Sequence, residues 1–195
     1  MNPDNSLSLL RKDFNLTQFI LSVLKEDVGK GDHTSLATLP SKAKNKACLI
    51  VKDFGILAGV ELAKKIFSQT DTALKIEVKL KDGTCVRKGD IAFTVYGNAQ
   101  SILTAERTVL NCMQRMSGIA TMTNRLVQIC KPYGVKIIDT RKTTPGIRAL
   151  EKWAVKIGGG YNHRFGLYDM ILIKNNHIDF SGGIKNALQD RKSVV

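Results

Sequence analysis

The chain has 195 residues, 43% of them hydrophobic and 24% charged, a balance expected of one large or two small globular domains. No apolar run approaches the ~20 residues of a membrane span, and the opening MNPDNSLSLLRKDF lacks the apolar core of a signal peptide, so a cytoplasmic location is expected. The net charge of +13 fits three readings: a nucleic-acid face, a pocket for a small polyanion, or a well-solvated surface.

Residues 16–26, LTQFILSVLKE, carry Leu16, Ile20, Val23 and Leu24 at helical spacing, with Asn15 as N-cap and Gly29 as stop. GKGDHTS (29–35) reads as a turn in which Asp32 and Thr34 are caps or ligands. KACLIVKD is a strand and VELAKKIFSQ a helix. LKIEVKL alternates, with Leu74, Ile76, Val78 and Leu80 on one face. KDG and KGD are turns around a short strand, and IAFTVYG is another strand. This region is α+β, with strands able to pair antiparallel. The four cysteines, Cys48, Cys85, Cys112 and Cys130, have no CxxC spacing, so free thiols are expected.

From Ala99 the pattern is helical. Ile102, Leu103, Glu106, Val109, Leu110 and Met113 fit one helix, Ser117-Gly118 is expected to break it, and a second helix runs to Cys130. VKIID (135–139) is an apolar strand, TRKTTPG a loop, and IRALEKWAVKI (147–157) a helix burying Ile147, Leu150, Trp153, Ala154 and Ile157. GGGYNHRFGLY is a loop, DMILIK (169–174) a second apolar strand, NNHIDFSGG a loop, and IKNALQ the start of a helix. Strand, helix, strand, helix predicts parallel strands with helical crossovers, and unalternating apolar strands suit burial on both faces.

In such folds ligands sit beyond the carboxyl ends of the strands. Asp139, Thr140, Arg141 and Lys142 follow the first strand, and Lys174, Asn175, Asn176 and His177 follow the second. Either cluster alone reads as solvated loop cations; two on matching strand ends favour an anion site. Arginine grips carboxylate or phosphate in a bidentate fork, and lysine adds a movable charge. His163 by itself reads as a loop histidine with a structural hydrogen bond, and His177 as a brace for the strand end. The GGG run (158–160) reads as a flexible turn and candidate hinge, and Trp153 as core.

The stretches AERTVLNCMQRMSGIAT (105–121), DTRKTTPGIRALEKWAVKIGGGYNHRFGLYDMILIKNNHI (139–178), EDVGKGDHTS and GILAGVELA together resemble the quinolinate phosphoribosyltransferase family, over about residues 15–189. The resemblance implies an N-terminal α+β domain over 1–115, then the first part of an α/β barrel over 116–195, incomplete in this chain. It implies transfer of phosphoribosyl from phosphoribosyl pyrophosphate to quinolinate with decarboxylation, giving nicotinate mononucleotide, pyrophosphate and carbon dioxide in NAD biosynthesis. By the same resemblance Arg107, Thr140, Arg141, Lys142, His163, Arg164 and Lys174 bind substrate, with Lys142, His163 and Lys174 on the catalytic side. Arg107 is implied to reach the pocket of the second subunit of a homodimer. Mg²⁺ is implied as cofactor, with none of its carboxylate ligands assignable to a position in this sequence. No nucleic-acid or membrane partner is implied.

A full eight-stranded barrel takes about 250 residues. Residues 190–195, DRKSVV, depart from the preceding pattern and can be encoded by GAT CGG AAG AGC GTC GTG, a string matching a common sequencing adapter. The expectation is that the natural sequence diverges after about Gln189 and that this chain alone is aggregation-prone and inactive. Two alternatives stay open: a non-catalytic anion- or nucleic-acid-binding module, and a paralogous pyrophosphorylase with another substrate. A nucleic-acid stripe calls for exposed aromatics among the cations, and aromatic content is only 6%.

Overall fold

A computed structural model describes residues 6–189, so the reading of residues 190–195 lies outside the described residues. The chain divides into two compact units, one up to His163 and one from Arg164 onward.

In the first unit a short 3-10 helix, Ser6–Leu9, precedes α1 (Leu16–Val28) and α2 (His33–Thr38). Asn15 caps α1 by accepting from Gln18 N–H, and Asp32 caps α2 by accepting from Ser35 N–H. The segment expected as a turn at 29–35 therefore runs into a helix, because Asp32 satisfies the first free amides of α2. Hydrogen bonds from Ser35 hold the Asp32 carboxyl below its usual range.

Strands β1 (Lys44–Ile50), β3 (Lys75–Val78) and β5 (Ile91–Asn98) form an antiparallel sheet in the order β1-β5-β3. The short strands β2 (Gly55–Ile56) and β4 (Cys85–Val86) pair antiparallel beside helix α3 (Val60–Thr70). Asp82, from the turn before β4, caps α3 by accepting from Val60 N–H at 2.8 Å. Four consecutive residues of β5, Ala92, Phe93, Thr94 and Val95, are buried, so both faces of this central strand are covered, and Phe67 of α3 meets Phe93 edge-on with ring centroids 6.1 Å apart.

Helix α4 runs unbroken from Ala99 to Cys130, 32 residues. The break expected at Ser117-Gly118 does not occur. A helical glycine costs only about 1 kcal/mol, and both flanks are held by buried Met113, Met116, Ala120 and Thr123. Ser117 Oγ also accepts from Ala58 N–H at 3.0 Å, and Thr121 Oγ1 accepts from Ile56 N–H at 2.9 Å, so this stretch of helix closes the open side of β2.

A second 3-10 helix, Lys131–Tyr133, leads from α4 to the loops, and α5 spans Arg148–Ile157. Trp153 is core as expected, 1% exposed, and its indole N–H donates to Ser6 O at 2.9 Å. The glycine run 158–160 is not a loose turn. A Cβ on Gly158 would lie 2.5 Å from Ala120 O, and one on Gly160 would lie 2.8 Å from Thr123, so glycine lets the end of α5 press against α4.

The strand expected at 135–139 is reduced to one parallel bridge, Ile138 to Tyr161, with Asp139 N–H donating to Tyr161 O at 3.0 Å. In the second unit residues 169–174 form no strand, α6 occupies Asn175–Phe180 where a loop was expected, and α7 spans Ile184–Gln189. A strand exists through its neighbours' hydrogen bonds, so an apolar run without paired neighbours stays irregular whatever its composition.

Candidate active site

The loop after Ile138 begins with Asp139, Thr140, Arg141 and Lys142. Thr140 Oγ1 accepts from Lys142 N–H at 3.0 Å, a local turn that presents the Lys142 side chain to solvent. Arg141 is half-buried, and its Nε is enclosed with no hydrogen-bond partner. A buried guanidinium donor left unmatched costs on the order of 1–3 kcal/mol or more, so this atom favours an incoming acceptor.

His163 belongs to the same unit. Its N–H donates to Asp139 Oδ1 at 2.9 Å and its carbonyl accepts from Lys152 Nζ at 3.2 Å, so its backbone is tied to the start of the Arg141 loop. Arg107 lies exposed on α4 and is not brought to this cluster within the unit. In the second unit Arg164 is buried, with Nη1 donating to Met170 O at 3.0 Å. Lys174 caps α6 and is exposed. Its N–H donates to His177 Nδ1 at 3.0 Å, so His177 braces the start of α6 and not the strand end expected for it, since 169–174 form no strand.

Sequence reasoning missed the charges behind the loop. Glu151 and Lys152 are 6% and 1% exposed. Glu151 Oε1 accepts from Arg115 Nε at 2.9 Å and Nη2 at 2.6 Å, and its Oε2 accepts from Thr144 N–H at 3.1 Å. Burial alone pushes the Glu151 carboxyl up, but the bonds from Arg115 and Thr144 outweigh it and hold the group below its ordinary range. Lys152 Nζ pairs with Asp139. Helical spacing was the available signal, since Glu151 falls four residues after Ile147 and three before Ala154, on the buried stripe.

A separate cavity of about 1000 Å³ lies between the sheet and α4, lined by Leu49, Val51, Phe54, Phe93, Val109 and Met113 among others, and none of the expected site residues lines it. Its apolar walls are unsuited to a polyanion. Burial pushes the Cys112 thiol up to about 11, so it is not a thiolate at neutral pH. Among the described residues no helix is long and apolar enough to cross a membrane.

These features define an α+β domain continuing into the first part of an α/β barrel, with a cationic loop where the barrel begins. Known proteins agree. Residues 32–117 match the N-terminal domain of quinolinate phosphoribosyl transferase, and residues 119–195 match its C-terminal domain. The structure of a nicotinate-nucleotide pyrophosphorylase from Ehrlichia chaffeensis superposes with a TM-score of 0.87 at 35% identity, covering 93% of this chain and 68% of that one. A carboxylating nicotinate-nucleotide pyrophosphorylase from rice is 51% identical over 177 residues, 90% of this chain and 47% of the relative. A probable one from Bacillus subtilis is 48% identical over 170 residues, 87% of this chain and 58% of the relative. The chain belongs to the quinolinate phosphoribosyltransferase family, and it spans about half the length of the curated relatives it matches.

Proposed function

We propose that this chain carries the quinolinate-binding part of a carboxylating nicotinate-nucleotide pyrophosphorylase. The observation that carries the reading is the enclosed, unpartnered Nε of Arg141 beside Lys142, in a chain of this family. In this proposal Arg141 and Arg164, with Arg107 of a second subunit, clamp the two quinolinate carboxylates. Thr140, Lys142, His163 and Lys174 face the phosphates and ribose of phosphoribosyl pyrophosphate.

The chemistry asked of the protein is positioning and charge neutralisation. The bond from ribose C1 to pyrophosphate breaks with its electron pair leaving on the pyrophosphate, and C1 gains oxocarbenium character. The quinolinate ring nitrogen bonds to C1. When the adjacent carboxylate leaves as carbon dioxide, the electron pair of the broken bond stays on the ring carbon, where the neighbouring positive nitrogen stabilises it, and that carbon then takes a proton from solvent. No covalent nucleophile is required. Mg²⁺ would neutralise the leaving pyrophosphate. Among the described residues no three His, Cys, Asp or Glu side chains are grouped to hold a metal, so no step is assigned to it here. A cytoplasmic location stays part of the proposal, with the chloroplast of the rice relative's name as the competing outcome in a fractionation.

The test is product analysis with quinolinate and phosphoribosyl pyrophosphate. It uses this chain and a chimera that continues it with the remaining length of the Bacillus subtilis relative. The chimera is expected to release nicotinate mononucleotide. A chimera that folds but neither binds quinolinate nor forms product overturns the reading. Two chimeras, one with Arg107→Ala and one with Lys174→Ala, should regain activity on mixing, because each dimer then holds one intact shared site. No recovery rejects the shared homodimer site.

A further inference from the structure

Helix α5 buries two charged residues side by side in sequence. Lys and Glu are almost never enclosed unless paired, and consecutive helical residues point about 100° apart, so the two reach different segments. Glu151 binds Arg115 on α4 and the Thr144 N–H, while Arg115 Nη2 also donates to Thr144 Oγ1 at 2.9 Å. Lys152 pairs with Asp139 and donates to His163 O. With its amide turned to satisfy both neighbours, Asn162 donates to Asp139 Oδ2 and to Lys152 O, each at 2.8 Å. Every charge in the set has a partner, and the partners lie at the two ends of one loop.

We propose that Glu151 and Lys152 are the positioning residues of the anion site, anchoring the 139–144 loop at both ends so that Arg141 and Lys142 are held between fixed points. The inference rests on the proposed reading of Arg141, Lys142 and His163 as that site. Glu151, Lys152, Asp139 and Arg115 need not touch substrate. Their work is to remove the loop's freedom before a ligand arrives. A buried ion pair is weak evidence for stability, since apolar residues of similar volume often replace one without loss. What an apolar pair cannot supply is the directed contact to Thr144 N–H and His163 O.

The experiment compares Lys152→Met and Glu151→Gln with the unchanged sequence, all in the chimera described above, in two measurements: amide hydrogen exchange along the backbone and calorimetric titration with quinolinate. Both variants should raise exchange in the 140–146 segment while β5 and α3 stay protected. If the loop is then competent only about a tenth of the time, quinolinate affinity falls roughly tenfold. Exchange that rises in β5 and α3 in step with the loop would show a purely structural role and overturn the proposal. Unchanged affinity despite a freed loop would also overturn it. Should Lys152→Met fail to fold because Asp139 is left unpaired, the double variant Asp139→Asn, Lys152→Met removes both charges. It should regain thermal stability while its affinity stays low, and regained affinity would reject the inference. Arg141→Ala serves as control. Absent binding, or binding indifferent to that change, rejects the anion-site reading, and the exchange data then decide the anchoring by themselves.

Discussion

The sheet with its covering helices and the segment after Cys130 are held together by different forces. In the first, Leu62, Ile66, Ala92, Phe93, Val95 and Val109 are all at most 3% exposed and belong to one apolar core, with Phe93, Val95 and Val109 also lining the cavity beside α4. In the second, none of residues 131–148 is buried, and the loop is fixed from behind by Glu151 and Lys152. Apolar burial is non-directional and scales with area, so it gives stability and tolerates repacking. Charged hydrogen bonds are directional and fail sharply when one partner is lost. The contrast is between an apolar scaffold on one side and a cationic loop held by directed bonds on the other.

The sharpest way to break this contrast is Lys152→Met. Leaving Asp139 enclosed without its partner should cost about 3–5 kcal/mol by denaturant titration. Leu62→Ala in the apolar core should cost a comparable but slightly smaller amount, about 2–5 kcal/mol, and should leave exchange in the 140–146 segment unchanged. If Leu62→Ala frees the loop as much as Lys152→Met does, the two regions are not separately held.

Arg141→Ala should invert the pattern. It should weaken quinolinate binding by about 2–5 kcal/mol, as for one lost partner of a desolvated charge pair, yet leave the melting temperature the same or higher, because Nε has no partner to lose. Equal affinity in calorimetry would sink the assignment. Gly158→Ala tests the junction between the regions. The backbone φ of −72° accepts alanine, so the effect is the clash with Ala120 O at 2.5 Å and Thr123 Cβ at 2.9 Å, and about 1–3 kcal/mol of stability should be lost. A neutral result would mean that α4 and α5 can separate freely.

The smallest effect is on pH dependence. The folded protein holds Glu151 below its ordinary value of 4.5, so folding favours the ionised form. That contribution is complete above the unfolded value and disappears as pH falls through the lower folded value. Acidification below about 4.5 should therefore loosen the 143–147 segment, and Glu151→Gln should flatten that part of the melting curve against pH. The same acid loss in the Gln variant would place its origin elsewhere.

Much of this was legible in the sequence. Period-two spacing marked β3, apolar composition marked β1 and β5, and helical patterning marked α1, α3, α5 and the parts of α4 on either side of the expected break, because these patterns are local properties of the chain. The cation cluster Arg141-Lys142 was legible because it is adjacent in sequence, whereas His177, expected to brace a strand end, instead braces the start of α6. What only the tertiary structure decided required partners distant in sequence. Ser117-Gly118 stays helical because Ile56 and Ala58 bond to that stretch across some 60 residues of chain. Gly158 and Gly160 turned from a flexible turn and candidate hinge to tight contact because α4 lies against them. The apolar runs 135–139 and 169–174 carry strand composition, yet a strand needs neighbours that local sequence cannot supply. Glu151 and Lys152 drew no role from the sequence, although helical spacing put Glu151 on the buried stripe, and only the fold shows that they bond Arg115, Thr144, Asp139 and His163, with Asp139 and Thr144 at the two ends of the loop that the cations occupy.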